Sequence, residues 1–258
     1  MKKSILMLSA LCLLIVVSCK KNNKTDDQVS DCLLTENTYV DDAFGVENVS
    51  TLYSYDANGR MIGMKFRIGG VTENDECLFT YSTTQIVKVQ KEGGDLFTTI
   101  YKLNDKGQII SEQYDNDSSV GTYIYNADGY LVEVKYGNMI SRKYRYTNGN
   151  LTRVDNTNGS YVDYTYNTEL AANTGLFSKY HFNEARYTLD SPLKKYLGKQ
   201  SKNLVSKVRY NSTLHDIGDD AYAETFTYEK DAKGNIIKIR VVVNQNYKYT
   251  VSSKYSCK

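Results

Sequence analysis

The sequence has no Trp, a single Pro (Pro192) and only two His among its 258 residues. Each shortage excludes something. His181 and His215 are the only imidazoles, and no paired-His metal motif appears. The missing Trp removes the ring best suited to a large glycan-stacking platform. Scarcity of Pro leaves long stretches free to pair as strands. No Cys-x-x-Cys spacing occurs, so a zinc knuckle is excluded, and no metal or cofactor is expected. Neither sign of charge prevails. The chain has 32 basic and 30 acidic residues, and without Lys2 and Lys3 the count is 30 against 30. That balance argues against nucleic acid as a partner and against a polybasic membrane-binding face. No nucleophile elbow or phosphate-cradling loop is present, so no enzyme is indicated. Beyond Val17, no apolar run is long enough for a helical membrane span.

What is abundant is Tyr, with 24 residues, and a repeated turn phrase. Asp56-Ala57-Asn58-Gly59, Asn104-Asp105-Lys106-Gly107, Asn126-Ala127-Asp128-Gly129 and Asp231-Ala232-Lys233-Gly234 place an Asx first and a Gly fourth. The Asx side chain caps its own turn, and the Gly accepts the left-handed backbone that follows. Strand ends before the turns recur at Tyr55, Tyr81, Leu103, Tyr125, Tyr146 and Tyr166, then at Tyr210, Tyr228 and Tyr249. One hairpin fits that spacing. The pattern predicts an all-β antiparallel meander of about 13–16 strands, curled into an open or closed barrel-like sheet.

Alternation puts Ile62, Met64, Phe66 and Ile68 on one face, opposite Lys65 and Arg67. If the turn pairs Tyr55 with Met61, paired tyrosines such as Tyr53 and Tyr55 fall on the more polar side. The expectation is an aliphatic core, with tyrosine ladders lying outside against Lys and Arg stems.

The N-terminus reads as an export signal over 1–18: Lys2 and Lys3, then an apolar stretch from Ile5 to Val17. Val16-Val17-Ser18-Cys19 resembles the bacterial lipobox, which implies lipidation of Cys19 and a membrane partner through that anchor. Residues 19–33 read as a polar tether, and 34–258 as one domain. Cys32, Cys77 and Cys257 remain. Cys32 and Cys257 bracket the domain, and pairing between them requires that the termini meet; the alternative is free thiols.

An insertion at about 167–203 interrupts the meander. Within it Ser191-Pro192 and Gly198 bracket a short helix whose Leu193, Tyr196 and Leu197 have helical spacing. This helix is expected to plug or cover one mouth of the curled sheet. Repeat regularity breaks here, so Tyr180, His181, Tyr196 and His215 are the ligand-binding candidates. His215 and the nearby Asp216, Asp219 and Asp220 also fit a solvated acidic loop.

The Tyr53-to-Arg60 stretch resembles the tyrosine–aspartate repeats of large secreted bacterial proteins. Together with the lipobox, the late Pro-containing helix and Ser201-Lys202-Asn203-Leu204, the chain resembles a Bacteroidetes lipoprotein family of unknown function with a porin-like fold. The resemblance implies fold and no activity. The expected protein is an outer-membrane lipoprotein, facing the periplasm or the cell surface. Its expected role is a non-enzymatic binding module for an apolar or amphipathic small molecule. The alternative is an adhesion, assembly or glycan-binding surface module without an internal cavity. A membrane pore is not expected, because both strand faces carry charge.

Overall fold

A computed structural model describes residues 32–41, 49–115, 119–171, 193–211, 222–244 and 247–257. Sixteen antiparallel strands follow one another around a closed barrel, each paired with its neighbours in sequence. They are β1 (Cys32–Asp41), β2 (Val49–Tyr55), β3 (Met61–Ile68), β4 (Val71–Tyr81), β5 (Gln85–Glu92), β6 (Asp95–Leu103), β7 (Ile109–Tyr114) and β8 (Val120–Tyr125). Then come β9 (Leu131–Tyr136), β10 (Met139–Thr147), β11 (Asn150–Asn156), β12 (Tyr161–Leu170), β13 (Asn203–Asn211), β14 (Ala223–Lys230), β15 (Ile236–Val243) and β16 (Tyr247–Cys257). The meander is thus as expected, and it closes. The closing strand β1 is the one that turn phrases did not announce. It zips onto β16, and a Cys32–Cys257 disulfide pins the end of that seam.

The Asx-to-Gly phrases form turns for the stated reason. In the first, the Asp56 carboxylate accepts the backbone N–H groups of Asn58 and Arg60, both at 2.9 Å. Asn104 and Asp231 do the same in their turns. Each turn closes with a left-handed Gly, at φ 72° for Gly59.

Face assignment differs from expectation. The turn does pair Tyr55 with Met61, but the next pair is Ser54 with Gly63, so Ile62 is left over. That one-residue bulge reverses the phase of the strand. Tyr53 then meets Met64, and tyrosines and aliphatics face inward together. The same bulge recurs after later turns, at Ile110, Val132, Thr152 and Ile237. Equivalent bulges at Ser206 and Thr35 follow Val205 and Leu34.

At six of these seven bulges, a phenol on the neighbouring strand donates to the carbonyl that precedes the bulged residue. The hydroxyl of Tyr55 donates to the Leu34 carbonyl (2.7 Å), Tyr81 to Met61 (2.6 Å), and Tyr125 to Ile109 (2.7 Å). Tyr166 donates to Leu151 (2.7 Å), Tyr228 to Val205 (2.6 Å), and Tyr255 to Ile236 (3.0 Å). In every case the accepting residue immediately precedes the bulged one, on the neighbouring strand. The series has Leu103 where a Tyr is expected, and Leu103 lies beside β5, which pairs with β4 without a bulge. No carbonyl needs closing there, and no hydroxyl is supplied.

A round 16-strand barrel leaves an aqueous channel. Here the inward side chains form a packed interior. Tyr53, Met64, Phe79, Ile86, Tyr101, Ile109, Tyr123, Leu131, Val134, Tyr144 and Val154 belong to one cluster spanning β2 to β11. Tyr39, Val208, Phe226, Ile239, Val241, Tyr249 and Val251 belong to a second, on β1 and β12–β16. Outside, the wall is rich in charged groups, with Ile62, Leu78, Ile110 and Ile237 exposed among them. Cross-strand ion pairs join Arg145 to Asp155 (2.8 Å), Arg153 to Asp163 (2.6 Å) and Lys254 to Glu36 (2.8 Å).

Candidate functional site

The two mouths of the barrel are built differently. At one end lie the Asx turns, the disulfide and the returning end of the insertion. The expected helix is a single 3-10 turn, Lys194–Tyr196; Ser191 and Pro192 lie outside the described residues. Leu193 is buried in the β2–β11 cluster and Tyr196 stacks on Tyr81 at 6.0 Å. Gly198, at φ 77°, sits against the Gly129 carbonyl, where a Cβ would collide. The Lys199 and Lys202 N–H groups donate to the carbonyls of Gly129 (2.9 Å) and Gly149 (3.0 Å). Ser201 hydrogen-bonds Tyr166 at 2.9 Å and accepts the Leu151 N–H at 3.1 Å. Burial lowers the Lys194 pKa to about 8. This segment seats itself on the mouth with backbone bonds, as the plug expectation required.

Of the ligand-binding candidates, Tyr196 is thus a packing element of this plug. Tyr180, His181, His215 and the lipidation candidate Cys19 lie outside the described residues. A hollow of about 480 Å³ lies beside the plug between two Asx turns, with Asn104, Gln108, Ile124 and Tyr125 among its lining, and it opens broadly to solvent.

The opposite end behaves otherwise. Along β5 the inward row is Ile86, Lys88, Gln90 and Glu92, facing Tyr101, Thr99, Phe97 and Asp95 on β6. On β7 the inward row continues with Glu112 and Tyr114. Exposure falls steadily along these rows. Glu92, Asp95 and Tyr114 are exposed; Gln90, Phe97, Lys88 and Glu112 are half-buried; Thr99, Tyr101, Tyr123 and Arg142 are buried. Solvent therefore enters the barrel mouth and stops at a floor of Thr99, Tyr101, Tyr123 and Arg142. The rows form a vestibule with an aromatic wall, since Phe97 stacks on Tyr114 with centroids 6.1 Å apart and planes 14° from parallel.

Glu112 is the ionisable centre of this vestibule. It accepts a hydrogen bond from Tyr136. Burial raises its pKa, opposed by the Tyr136 hydrogen bond, by the nearby Tyr123 hydroxyl and by the charges of Lys88 and Arg142. Gly121 makes room for the pair: a Cβ there would lie 2.8 Å from Glu112 Cγ and 3.0 Å from Tyr136 Cε1. Tyr123, in turn, is raised well above its usual value by burial and by Glu112. Carboxylate, ammonium, amide and phenol groups thus converge beside a ring face. The arrangement accepts and donates hydrogen bonds in many directions. Among the described residues no cluster of three His, Cys, Asp or Glu is placed to hold a metal.

Around this mouth the hairpin tips carry exposed apolar side chains: Val71 (67% exposed), Leu96 (65%) and Met139 (72%), with Ile68 and Val120 beside them. Sequence reasoning missed both features because it sought the site at the insertion. The signal was available on β5, where the Ile86 row turns polar at Lys88, Gln90 and Glu92.

Residues 53–238 match the family described as Domain of unknown function (DUF4595) with porin-like fold. The chain belongs to this family. Among solved structures it is similar to the crystal structure of a porin-like protein from Bacteroides uniformis, with a TM-score of 0.62 and 19% identity over 86% of this chain and 96% of that one. A search of curated proteins returned no match. At that identity the likeness speaks for the fold alone. In this member of the porin-like family the polarity runs opposite to that of a membrane barrel, which needs an apolar outer band and a polar lumen. The described wall carries Lys65, Lys238, Arg240, Arg145 and Lys254 outward, and the lumen holds the hydrophobic clusters.

Proposed function

We propose that this chain is a lipid-tethered, non-enzymatic recognition module of the cell envelope, engaging its partner at the mouth remote from its anchor. The lipobox-like Val16-Val17-Ser18-Cys19 supports the anchor at Cys19. The carrying observation is the asymmetry of the two mouths. The chain enters the barrel at Cys32, on the plugged end, where the disulfide ties entry and exit together. A tether attached there directs the other mouth, with its apolar tips and vestibule, away from the membrane. The packed clusters favour a module that works at its mouth over a carrier enclosing an apolar ligand.

Two measurements test this reading. Palmitate labelling of the full chain in its source cells is expected to be lost in Cys19→Ala. A photo-crosslinking residue at Leu96 or Met139 is expected to capture a partner that the same residue at Lys238, on the wall, does not. Equal capture at wall and mouth refutes the placement of the recognition surface.

A further inference from the structure

We infer that the vestibule on β5–β7 binds a neutral saccharide, held between the Phe97–Tyr114 ring wall and the polar row of Lys88, Gln90, Glu92 and Glu112. This rests on the recognition-module reading and gives its ligand a chemical class.

Four observations converge. First, the ring wall stands where ligand can reach it, since Tyr114 is 48% exposed and on the same inward face as Glu112. A pyranose presents a flat apolar patch of C–H groups, and a ring face is its natural complement. Second, the polar groups beside the rings are mixed in kind. Carboxylates accept from sugar hydroxyls, while the Gln90 amide and Lys88 ammonium donate to them. Gln90 is already held by Glu92, its Nε2 donating at 3.0 Å, so the row is oriented before any ligand arrives. Third, the charges offset one another. Glu92, Asp95 and Glu112 face Lys88 and Arg142, which leaves no strong excess to select an anion or a cation. A mixed, nearly balanced field suits a neutral polyhydroxylated molecule. Fourth, the floor is built. Gly121 is kept free of a side chain so that Glu112 and Tyr136 fit together, and Thr99, Tyr101, Tyr123 and Arg142 close the bottom. The depth from Glu92 to Lys88 is two inward positions on one strand, about 13–14 Å at the strand rise. That accommodates the end of an oligosaccharide chain, with the remainder leaving through the mouth past Leu96 and Met139.

The test is calorimetric titration of the full chain with a panel of neutral oligosaccharides: cello-, malto-, xylo- and manno-oligomers and chitotetraose. At least one is expected to bind. Tyr114→Ala and Glu112→Gln are each expected to weaken that binding about ten-fold or more, from loss of ring contact and of a charged acceptor respectively. Tyr161→Ala, on the outer wall beneath Arg153, is expected to leave it unchanged. Circular dichroism and the unfolding midpoint of each variant show that the barrel is intact. Binding insensitive to both vestibule variants overturns the inference. So does the absence of binding across the panel, and if Leu96 still crosslinks a partner in that case, the recognition-module reading stands while the saccharide assignment falls.

Discussion

Replacing a bulge-closing tyrosine by Phe removes one oxygen and keeps the ring. Tyr81, Tyr125, Tyr166 and Tyr228 are suitable sites, with hydroxyl-to-carbonyl distances of 2.6–2.7 Å. The net value of a hydrogen bond is about 0.5–1.5 kcal/mol, and a buried carbonyl left alone costs about 1–3 kcal/mol. These carbonyls are part-buried, so each Tyr→Phe is expected to destabilise the barrel by about 1–2 kcal/mol. Urea unfolding followed by circular dichroism reads this as a lower midpoint at unchanged slope. Tyr81 and Tyr228 lie on β4 and β14 and share no partner, so the double variant is expected to show the sum within about 0.5 kcal/mol. The reciprocal change is equally informative. Leu103→Tyr brings a hydroxyl beside β5, where no bulge offers a carbonyl, and is expected to destabilise by about 1–3 kcal/mol. If all four Tyr→Phe variants unfold within about 0.3 kcal/mol of the parent, the pairing of phenol to bulge is incidental and the reasoning fails.

Three further outcomes follow. Cys32 and Cys257 close a separation of 225 residues, so Cys257→Ser is expected to cost up to about 5 kcal/mol by loop entropy, read as a fall in the unfolding midpoint. Burial raises Tyr55 and Tyr166 to about 12 and Tyr125, Tyr146 and Tyr228 further still. Because the folded-state values lie above the unfolded value near 10, their stabilisation is complete below pH 10 and is lost as pH rises through about 12. Alkaline unfolding is therefore expected to coincide with tyrosinate absorbance at 295 nm, and gradual ionisation without unfolding would contradict it. Gly198→Ala is expected to unseat the plug, since φ 77° and the Gly129 carbonyl both reject a Cβ; proteolysis within 193–202 should accelerate while the strands survive.

The turns were legible because Asx and Gly act within four residues. Asp56 caps the turn it begins, and nothing distant alters that. The strand order followed, since short links force neighbours in sequence to pair, but closure did not, because it runs through β1. The inward face was not legible, because it depends on where Ile62, Ile110 and Ile237 are left unpaired. A bulge sits in the register between two strands and leaves no residue signature of its own. Strand β1 was hidden for a similar reason. Its pairing with β16 joins residues more than 200 positions apart, and no turn announces it. The vestibule was missed because attention went to the irregular insertion, whereas the polar groups stand on regular strands.

Those bulges also explain how one chain fills a barrel of this circumference. An unbulged strand puts alternate residues inside, and rings alone or aliphatics alone would face the lumen after each turn. The bulge brings Met61 and Met64 both inward, beside Tyr55 and Tyr53. Each hairpin then delivers rings from its first strand and aliphatics from its second to the same interior. Large rings reach across the lumen, branched and thioether side chains fill between them, and six of the phenols bond carbonyls that neighbouring bulges expose. A channel is incompatible with that construction, because every inward ring that packs a core is one that cannot line a water column. The vestibule exists where the construction lapses: β5 has no bulge, its inward row stays in phase from Ile86 to Glu92, and polar side chains occupy the lumen. The unbulged strand and the polar mouth are one feature of the sequence: with no bulge to absorb the change, deleting Val87 shifts the phase by one residue and is expected to abolish the vestibule by turning Lys88, Gln90 and Glu92 outward.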